Sequence, residues 1–367
     1  MTLLGTTPPI NFICDQCSDD QSFYNVTTFC VLKSIWTNAF NQTSIESLGW
    51  MRDTLFCEWN GIKCDNNNNI IELELKFPNI PKATQTFGLG KLKTLQRLTI
   101  IGGAGFPFGP LPFSIFQLEN LVDLALISTN YTNTIPNTFD KMTSLKSLRI
   151  ANNYQLNSFI IPDTISTTSL VTLVFSLQNV NGAIPDFIGN SITLQNSLQN
   201  LDLSSNNLTG NIPNSLFNLR NLQSLRLGTN SLTGQIPPGL TSSKFTNSLT
   251  SIDLSANWFS GNIPASLNKF VNLISLNLET NLLTGPIPAE LSTLNLNDLI
   301  LENNQLSGSI PDSIGNINLR NLRLRNNTLT GFIPPSICQR RTYAFCTMGQ
   351  NQFQVQTGLS CGDCAFG

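Results

Sequence analysis

Histidine is absent from all 367 residues. That removes Ser-His-Asp and Cys-His nucleophile arrangements, histidine general bases and most zinc sites. Charge is scarce as well: Asp, Glu, Lys and Arg make up 11% of the chain, against about 25% in typical soluble proteins. Twenty basic and 22 acidic side chains leave a net charge of −2, so no basic footprint points to nucleic acid or an anionic membrane. No apolar run reaches the ~18 residues of a membrane-spanning helix. Met1–Pro9 lacks a basic head followed by a long apolar stretch, so the expectation is a processed or trimmed form. No phosphate-cradling motif stands out, because Gly102-Gly-Ala-Gly105 has no helix pattern after it. Cysteine is missing from the whole middle of the chain: Cys14, Cys17, Cys30, Cys57 and Cys64 lie before residue 70, and Cys338, Cys346, Cys361 and Cys364 after residue 334.

What fills that middle is a repeat. The phrase apolar-x-Gly-x-Ile-Pro returns seven times, from Val180–Pro185 through Leu208–Pro213, Leu232–Pro237, Phe259–Pro264, Leu283–Pro288 and Leu306–Pro311 to Leu329–Pro334. Upstream of each copy, apolar residues stand at the first, fourth and sixth positions, with Asn at the ninth in all but the first copy, most clearly in Leu198-Gln-Asn-Leu201-Asp-Leu203-Ser-Ser-Asn206. Looser copies begin at Ile70, Leu95, Leu121, Leu145 and Leu170, which makes eleven units whose starts lie 23 to 28 residues apart. A period in the twenties means one supersecondary unit stacked many times into a solenoid. The Leu201-x-Leu203 alternation reads as a strand with one buried face. Parallel stacking at ~4.8 Å per strand then gives a sheet roughly 50 Å long. The ninth-position residues Asn153, Asn206, Asn230, Asn257, Asn281, Asn304 and Asn327 form an expected buried ladder whose amides serve backbone groups of the turns. The Gly of the phrase permits a positive-φ bend, and Ile-Pro sends an extended segment inward. Regularity weakens toward the amino terminus, where Gly103 and Thr129 stand in for the ladder Asn. Longer spacings predict loops around Gln195–Ser197 and Lys244–Asn247.

The pattern Leu-x-x-Leu-x-Leu-x-x-Asn-x-Leu-Thr-Gly-x-Ile-Pro resembles the plant-specific class of leucine-rich repeat, over residues 70–334. That class occurs in ectodomains of plant receptor kinases and in polygalacturonase-inhibiting proteins. The resemblance implies an α/β solenoid: a right-handed superhelix with a concave parallel sheet, convex 3₁₀ or irregular segments and disulfide-stapled caps. Trp50–Cys64 resembles the family's amino-terminal cap, which implies a Cys57–Cys64 pair; the four carboxyl-terminal cysteines leave their connectivity open. The expected organisation is an arm over 1–29, a cysteine cap over 30–69, repeats over 70–334 and a second cap over 335–367.

Solenoid ends expose core, and cysteine-stapled modules there imply an oxidising, extracellular setting. Five Asn-x-Ser/Thr sequons, at Asn25, Asn41, Asn130, Asn207 and Asn326, agree with it. Asn130 and Asn207 stand one place beyond the ladder, where an outward side chain is expected. The Cys14–Cys17 and Cys361–Cys364 Cys-x-x-Cys motifs lack the βαβ setting of a redox site. A four-cysteine metal site would need both solenoid ends to meet, which consecutive molecules allow and one chain does not; local cap disulfides such as Cys17–Cys30 are preferred. The odd count of nine leaves one thiol over or paired to another chain.

Neither cofactor nor metal is expected, and no enzyme activity. Carboxylates at Asp202, Asp253, Glu279 and Glu302 fall at expected exposed strand positions with no pocket to raise a pKa. Partner-facing candidates come from the strand positions left free by the core. Ile101, Ile127, Val174 and Leu177 form a loosely apolar patch on the irregular amino-terminal half, with Arg149 a further candidate; Arg226 stands between Asp202 and Asp253 as a self-neutralising row; Glu279, Glu302, Arg323 and Arg325 make a mixed-charge end. The leading expectation is an extracellular scaffold that recognises a protein, peptide or glycan through its concave surface. The alternative is a structural subunit stacking with copies of itself, end to end, into a glycosylated filament or coat. It rests on the charge-poor surface, the odd cysteine and the Thr/Pro-rich arm Met1–Phe12. An ice-binding array would want flat Thr or Asn columns, and the exposed columns are too mixed for one.

Overall fold

A computed structural model describes residues 31–32, 56–76, 88–103, 109–238, 248–339, 343–354 and 364–365. Asn25, Asn41, Cys14, Cys17, Cys30, Cys361 and the loop expected around Lys244–Asn247 lie outside them.

The Leu-x-Leu segments become one 14-stranded sheet, parallel except at its first pair. Its strands follow chain order from Ile70–Lys76, Arg97–Ile101 and Asp123–Ile127 onward to Asn321–Arg323. The two apolar columns point inward: Leu201, Leu225, Leu276, Leu299 and Leu322 align across neighbouring strands and are buried. With period 2, the residues between them must face out, and that face is the concave surface.

The ladder amides do what their burial demands. Asn230 Nδ2 donates to the carbonyls of Leu203 at 2.9 Å and Leu227 at 3.0 Å, while its Oδ1 accepts the Leu208 N–H at 3.1 Å. Asn257, Asn281, Asn304 and Asn327 repeat the same set one coil further on. Asn153 accepts from the N–H of Thr129 at 2.7 Å and from its hydroxyl. Thr129 is buried, so the shorter side chain is served by the next coil's amide.

The phrase itself does more than bend. Asn181–Ala183, Asn207–Gly210, Ser231–Gln235, Trp258–Asn262, Leu282–Gly285, Gln305–Gly308, Thr328–Gly331 and Gln352–Phe353 build a second, eight-stranded sheet. Gly234 and Gly285 show why glycine recurs. Each has positive φ, +78° and +73°, and a Cβ there would stand 2.3 Å and 2.4 Å from the Oδ1 of Asn211 and Asn262 in the preceding coil. Beyond the phrase, Pro fixes the chain and a short 3₁₀ turn starts at once, as in Asn214–Asn218 after Pro213 and Ala265–Lys269 after Pro264.

Three expectations need correction. Gln195–Ser197 is not a loop but the end of an α-helix, Ile192–Ser197, whose N-cap Ser191 Oγ accepts the Leu194 N–H at 3.3 Å. The eighth position of the unit is not a strand residue. Ser128, Asn152, Leu177, Ser205, Thr229, Ala256, Thr280, Asn303 and Asn326 all turn left-handed there, with φ between 49° and 59°. The ladder also runs on past residue 334. Phe345–Thr347 pairs with Asn321–Arg323, and Asn351 bonds Leu324, Met348 and Leu329 as an eighth ladder Asn, with Cys346 and Met348 in the leucine columns.

The ends are closed. At one, Ile62–Cys64 adds antiparallel to Ile70–Lys76 and Cys57 bonds Cys64. Between those strands, the Asp65 carboxylate accepts the N–H groups of Asn67 and Asn69 and the Asn69 amide, bonds that hold its pKa below the ordinary value. At the other, Cys346 pairs with Cys364 on the adjacent strand, so Cys364 is not joined to Cys361; Cys338 is disulfide-bonded too.

Candidate functional site

The outward residues of the concave sheet are placed by strand register, so their neighbours follow from pairing. Ile101 lies beside Ile127, and Ile127 beside Ala151. One column over, Ala125 neighbours Arg149 and Arg149 neighbours Val174. Ile101, Ile127 and Val174 are half-buried and Arg149 is exposed; the structure sets Ile101 beside Ile127 and Arg149 beside Val174, in two separate columns, with Val174 three strands along from Ile101. Leu177 stands apart from the strand, 41% exposed at a left-handed turn residue with φ 55°. Such a conformation costs an ordinary L-residue ~1–2 kcal/mol.

The first coils carry surface ion pairs: Lys63 and Arg97 reach Glu72, and Arg97 reaches Asp123 at 3.4 Å. In the middle, Asp202 accepts the N–H of Ser204 at 3.0 Å and its hydroxyl at 2.6 Å, and Asp253 does the same for Ser255. Arg226 approaches Asp202 at 3.8 Å. These carboxylates finish their own turns, and an exposed pair at that distance is worth ~1 kcal/mol at most.

The carboxyl-terminal end differs in kind. Arg323 contacts Glu302 at 3.5 Å and lies over the Phe345 ring, 5.5 Å from its centre. Glu302 also accepts the Thr347 hydroxyl at 3.1 Å, and Arg325 Nε donates to Gln350 at 3.2 Å. Glu279 shares this group. Its desolvation, the nearby Glu302 charge and then Asp253 push its pKa up from 4.5, with Arg323 partly opposing. Glu279 is therefore half-buried with a perturbed carboxyl, where the sequence promised a solvated one. Among the described residues, Arg323 Nε and Asn321 Oδ1 are buried without a hydrogen-bond partner. Phe345, Thr347 and Gln350 were missed in sequence because they sit in the coil hidden by Cys346; the Asn351 spacing was the available signal.

Of the described sequons, Asn207 and Asn326 are exposed and Asn130 is half-buried. Asn326 Nδ2 donates to Asn303 Oδ1 at 2.9 Å. The described residues contain no group of three or more metal-ligating side chains and no helix long and apolar enough to cross a membrane.

Known proteins share this architecture. The Leucine Rich Repeat family model matches residues 197–219, 221–243, 248–270, 295–317 and 318–339. Receptor-like kinase TMK2 of Arabidopsis thaliana is 30% identical over 240 residues, 65% of this chain and 26% of its own. Receptor-like protein EIX1 of Solanum lycopersicum is 30% identical over 252 residues, 62% of this chain and 23% of its own. Among solved structures, the Arabidopsis receptor kinase HAESA with the peptide hormone IDA and the co-receptor SERK1 superposes with a TM-score of 0.70. Its identity is 27%, covering 90% of this chain and 58% of that one. The PEPR1–AtPEP1 complex gives a TM-score of 0.68 at 26% identity, covering 89% of this chain and 48% of that one. The chain carries leucine-rich repeats, and the relatives it is similar to are plant receptor-like kinases and receptor-like proteins. It spans about a quarter of the length of those curated relatives, and the kinases among them match through their ectodomains.

Proposed function

We propose that the chain is an extracellular recognition scaffold whose concave face takes an extended peptide along the solenoid axis. The observation that carries this reading is the polarity of that face: the apolar residues Ile101, Ile127 and Val174, and several coils later the Glu279, Glu302, Arg323 and Arg325 group. A peptide lying across the strands meets one coil per ~4.8 Å, so apolar side chains at one end and a charged end at the other fit the two regions. The HAESA structure named above is described as a complex with a peptide hormone, which supports the same class of partner. A secreted or cell-surface location goes with this reading, supported by the terminal disulfides and the receptor-like relatives.

Filament formation fits less well. Short strands, Ile62–Cys64 and Cys364–Ala365, blunt the two ends of the long sheet, which is how proteins suppress edge pairing. Selection of a displayed random-peptide library on the wild-type protein, Ile127→Asp and Arg323→Ala/Arg325→Ala tests the proposal. Peptides enriched by wild type should be lost on both variants. Equal capture by all three proteins would remove the concave face from consideration.

A further inference from the structure

The second sheet has a property that the concave sheet lacks. Its eight strands contain no Asp, Glu, Lys or Arg, whereas every concave strand from Ile70 to Ile127 carries charge. Its outward side chains are mostly hydroxyls and amides, with two large exceptions: Trp258 is 57% exposed, and Leu282 on the next coil is 39% exposed. Thr233 pairs directly with Trp258, and Ser260 with Leu282. Hydroxyls on the coils of Thr233, Ser260 and Thr284 are weakly engaged. Thr233 reaches Asn211 at 3.4 Å, Ser260 reaches the Gly234 carbonyl at 3.5 Å and Thr284 reaches Asn262 at 3.5 Å, all at the long limit of a hydrogen bond. An exposed indole inside a field of loosely held neutral donors and acceptors offers an apolar face and hydrogen-bonding groups side by side.

We infer that this lateral sheet is a second binding surface, and that its ligand is a neutral polysaccharide. A sugar ring has one face of C–H bonds and a rim of uncharged hydroxyls. Its C–H face stacks on the apolar body of Trp258, its hydroxyls exchange hydrogen bonds with Thr233 and Ser260, and Thr284, opposite Asn262 on the next coil, is left for a neighbouring sugar of the same chain. A charged glycan or a basic or acidic peptide finds no complementary charge here. A protein partner would bring a charged rim, for which these strands offer nothing. Ice requires flatness, and Trp258 stands out of the sheet. The strands repeat every ~4.8 Å along the axis, so an extended chain of sugars meets equivalent groups coil after coil.

Affinity electrophoresis through native gels containing galactomannan, laminarin or mixed-linkage β-glucan tests this, with polygalacturonate as the charged control. At least one neutral polymer should retard the wild-type protein, and polygalacturonate should not. Trp258→Ala should weaken that retardation about tenfold, and Trp258→Phe, which keeps a stacking ring, should retain most of it. Thermal unfolding of both variants checks that this exposed substitution leaves the fold intact. Asn207→Gln should behave as wild type, which separates external polysaccharide from a glycan on the same face. Ile127→Asp should also leave retardation unchanged, so this surface stands or falls apart from the concave one. Retardation by no neutral polymer, equal retardation of Trp258→Ala, or loss in Asn207→Gln alone would each overturn the inference.

Discussion

Asn230→Leu isolates what one rung of the ladder contributes, and its cost can be worked out partner by partner. Asn230 is 8% exposed and bonds three carbonyls and one N–H. The carbonyls are each served twice: Leu203 also by Asn206 at 2.9 Å, Leu227 also by Asn257 at 3.0 Å, and Gly228 also by the Ser205 N–H at 2.8 Å. The Leu208 N–H has a single hydrogen, and it points at Asn230 Oδ1. Replacement by Leu therefore orphans one buried donor and leaves three acceptors with a partner apiece. The expected loss is ~1–3 kcal/mol, the cost of one unsatisfied buried group, and not four times that. Urea unfolding followed by far-ultraviolet circular dichroism, with linear extrapolation, measures it. Faster hydrogen exchange at the Leu208 amide locates it. Asn230→Asp supplies the internal check, because it keeps the acceptor but sets a carboxylate against three carbonyls. It should cost more at neutral pH than at a pH low enough to protonate it. Stability of Asn230→Leu within ~0.5 kcal/mol of wild type would refute the account.

Thr229→Asn should stabilise the protein by ~1 kcal/mol, since Thr229 is an exposed β-branched residue at φ 58°, where Asn is tolerated; a lower urea midpoint would count against left-handed strain at this position. Gly189→Ala should destabilise by ~3 kcal/mol or more, because its Cβ would fall 1.9 Å from the Ser215 carbonyl oxygen, backbone that cannot swing aside; unchanged melting would show that the coils do not pack this closely. Glu279→Gln should stabilise at neutral pH. The folded pKa of Glu279 is raised above 4.5, so its contribution is fully favourable below that value and is lost as pH rises through the folded pKa. The gain in the variant should shrink as pH falls below 4.5, and a pH-independent difference would exclude titration of Glu279 as its cause.

The leucine columns and the Asn ladder were legible because each is a strict local spacing with one physical meaning: apolar residues must be covered, and a buried amide must be bonded. The second sheet was not legible because its strands are Leu-Thr-Gly-x segments, short and glycine-bearing. Taken singly they have poor strand propensity, and they pair only because stacking sets them side by side. The helix at Ile192–Ser197 hid in a longer spacing whose start signal is a single N-cap serine. The coil at Phe345–Phe353 hid behind Cys346 and Met348 in leucine positions. At the candidate site, the strand columns placed Ile101 beside Ile127, as two pattern positions must lie. Glu279 was likewise grouped with Glu302 and Arg323 from the same columns, but the burial that raises its pKa was not legible, because it depends on how far the surrounding coils cover the carboxyl.

The two sheets divide chemistry between them, and this division has a measurable consequence. From the coil of Thr172–Ser176 to that of Phe345–Thr347, each coil adds one strand to the concave sheet and one to the lateral sheet at the same ~4.8 Å step, so along that stretch a ligand on either surface is read at the same pitch. What differs is the force that reads it. Around Glu302 and Arg323 the concave face interacts through charge, which salt screens over a Debye length of ~8 Å at physiological ionic strength. The lateral strands have no charge to screen. Peptide capture that depends on Arg323 and Arg325 should therefore weaken as salt is raised toward 1 M, where the Debye length falls to ~3 Å. Glucan retardation that depends on Trp258 should hold or strengthen over the same range, because stacking an apolar ring face against C–H groups expels water and not ions. Two binding modes with opposite salt responses on one rod would separate the surfaces without any mutation. A shared response would mean that one surface takes both ligands.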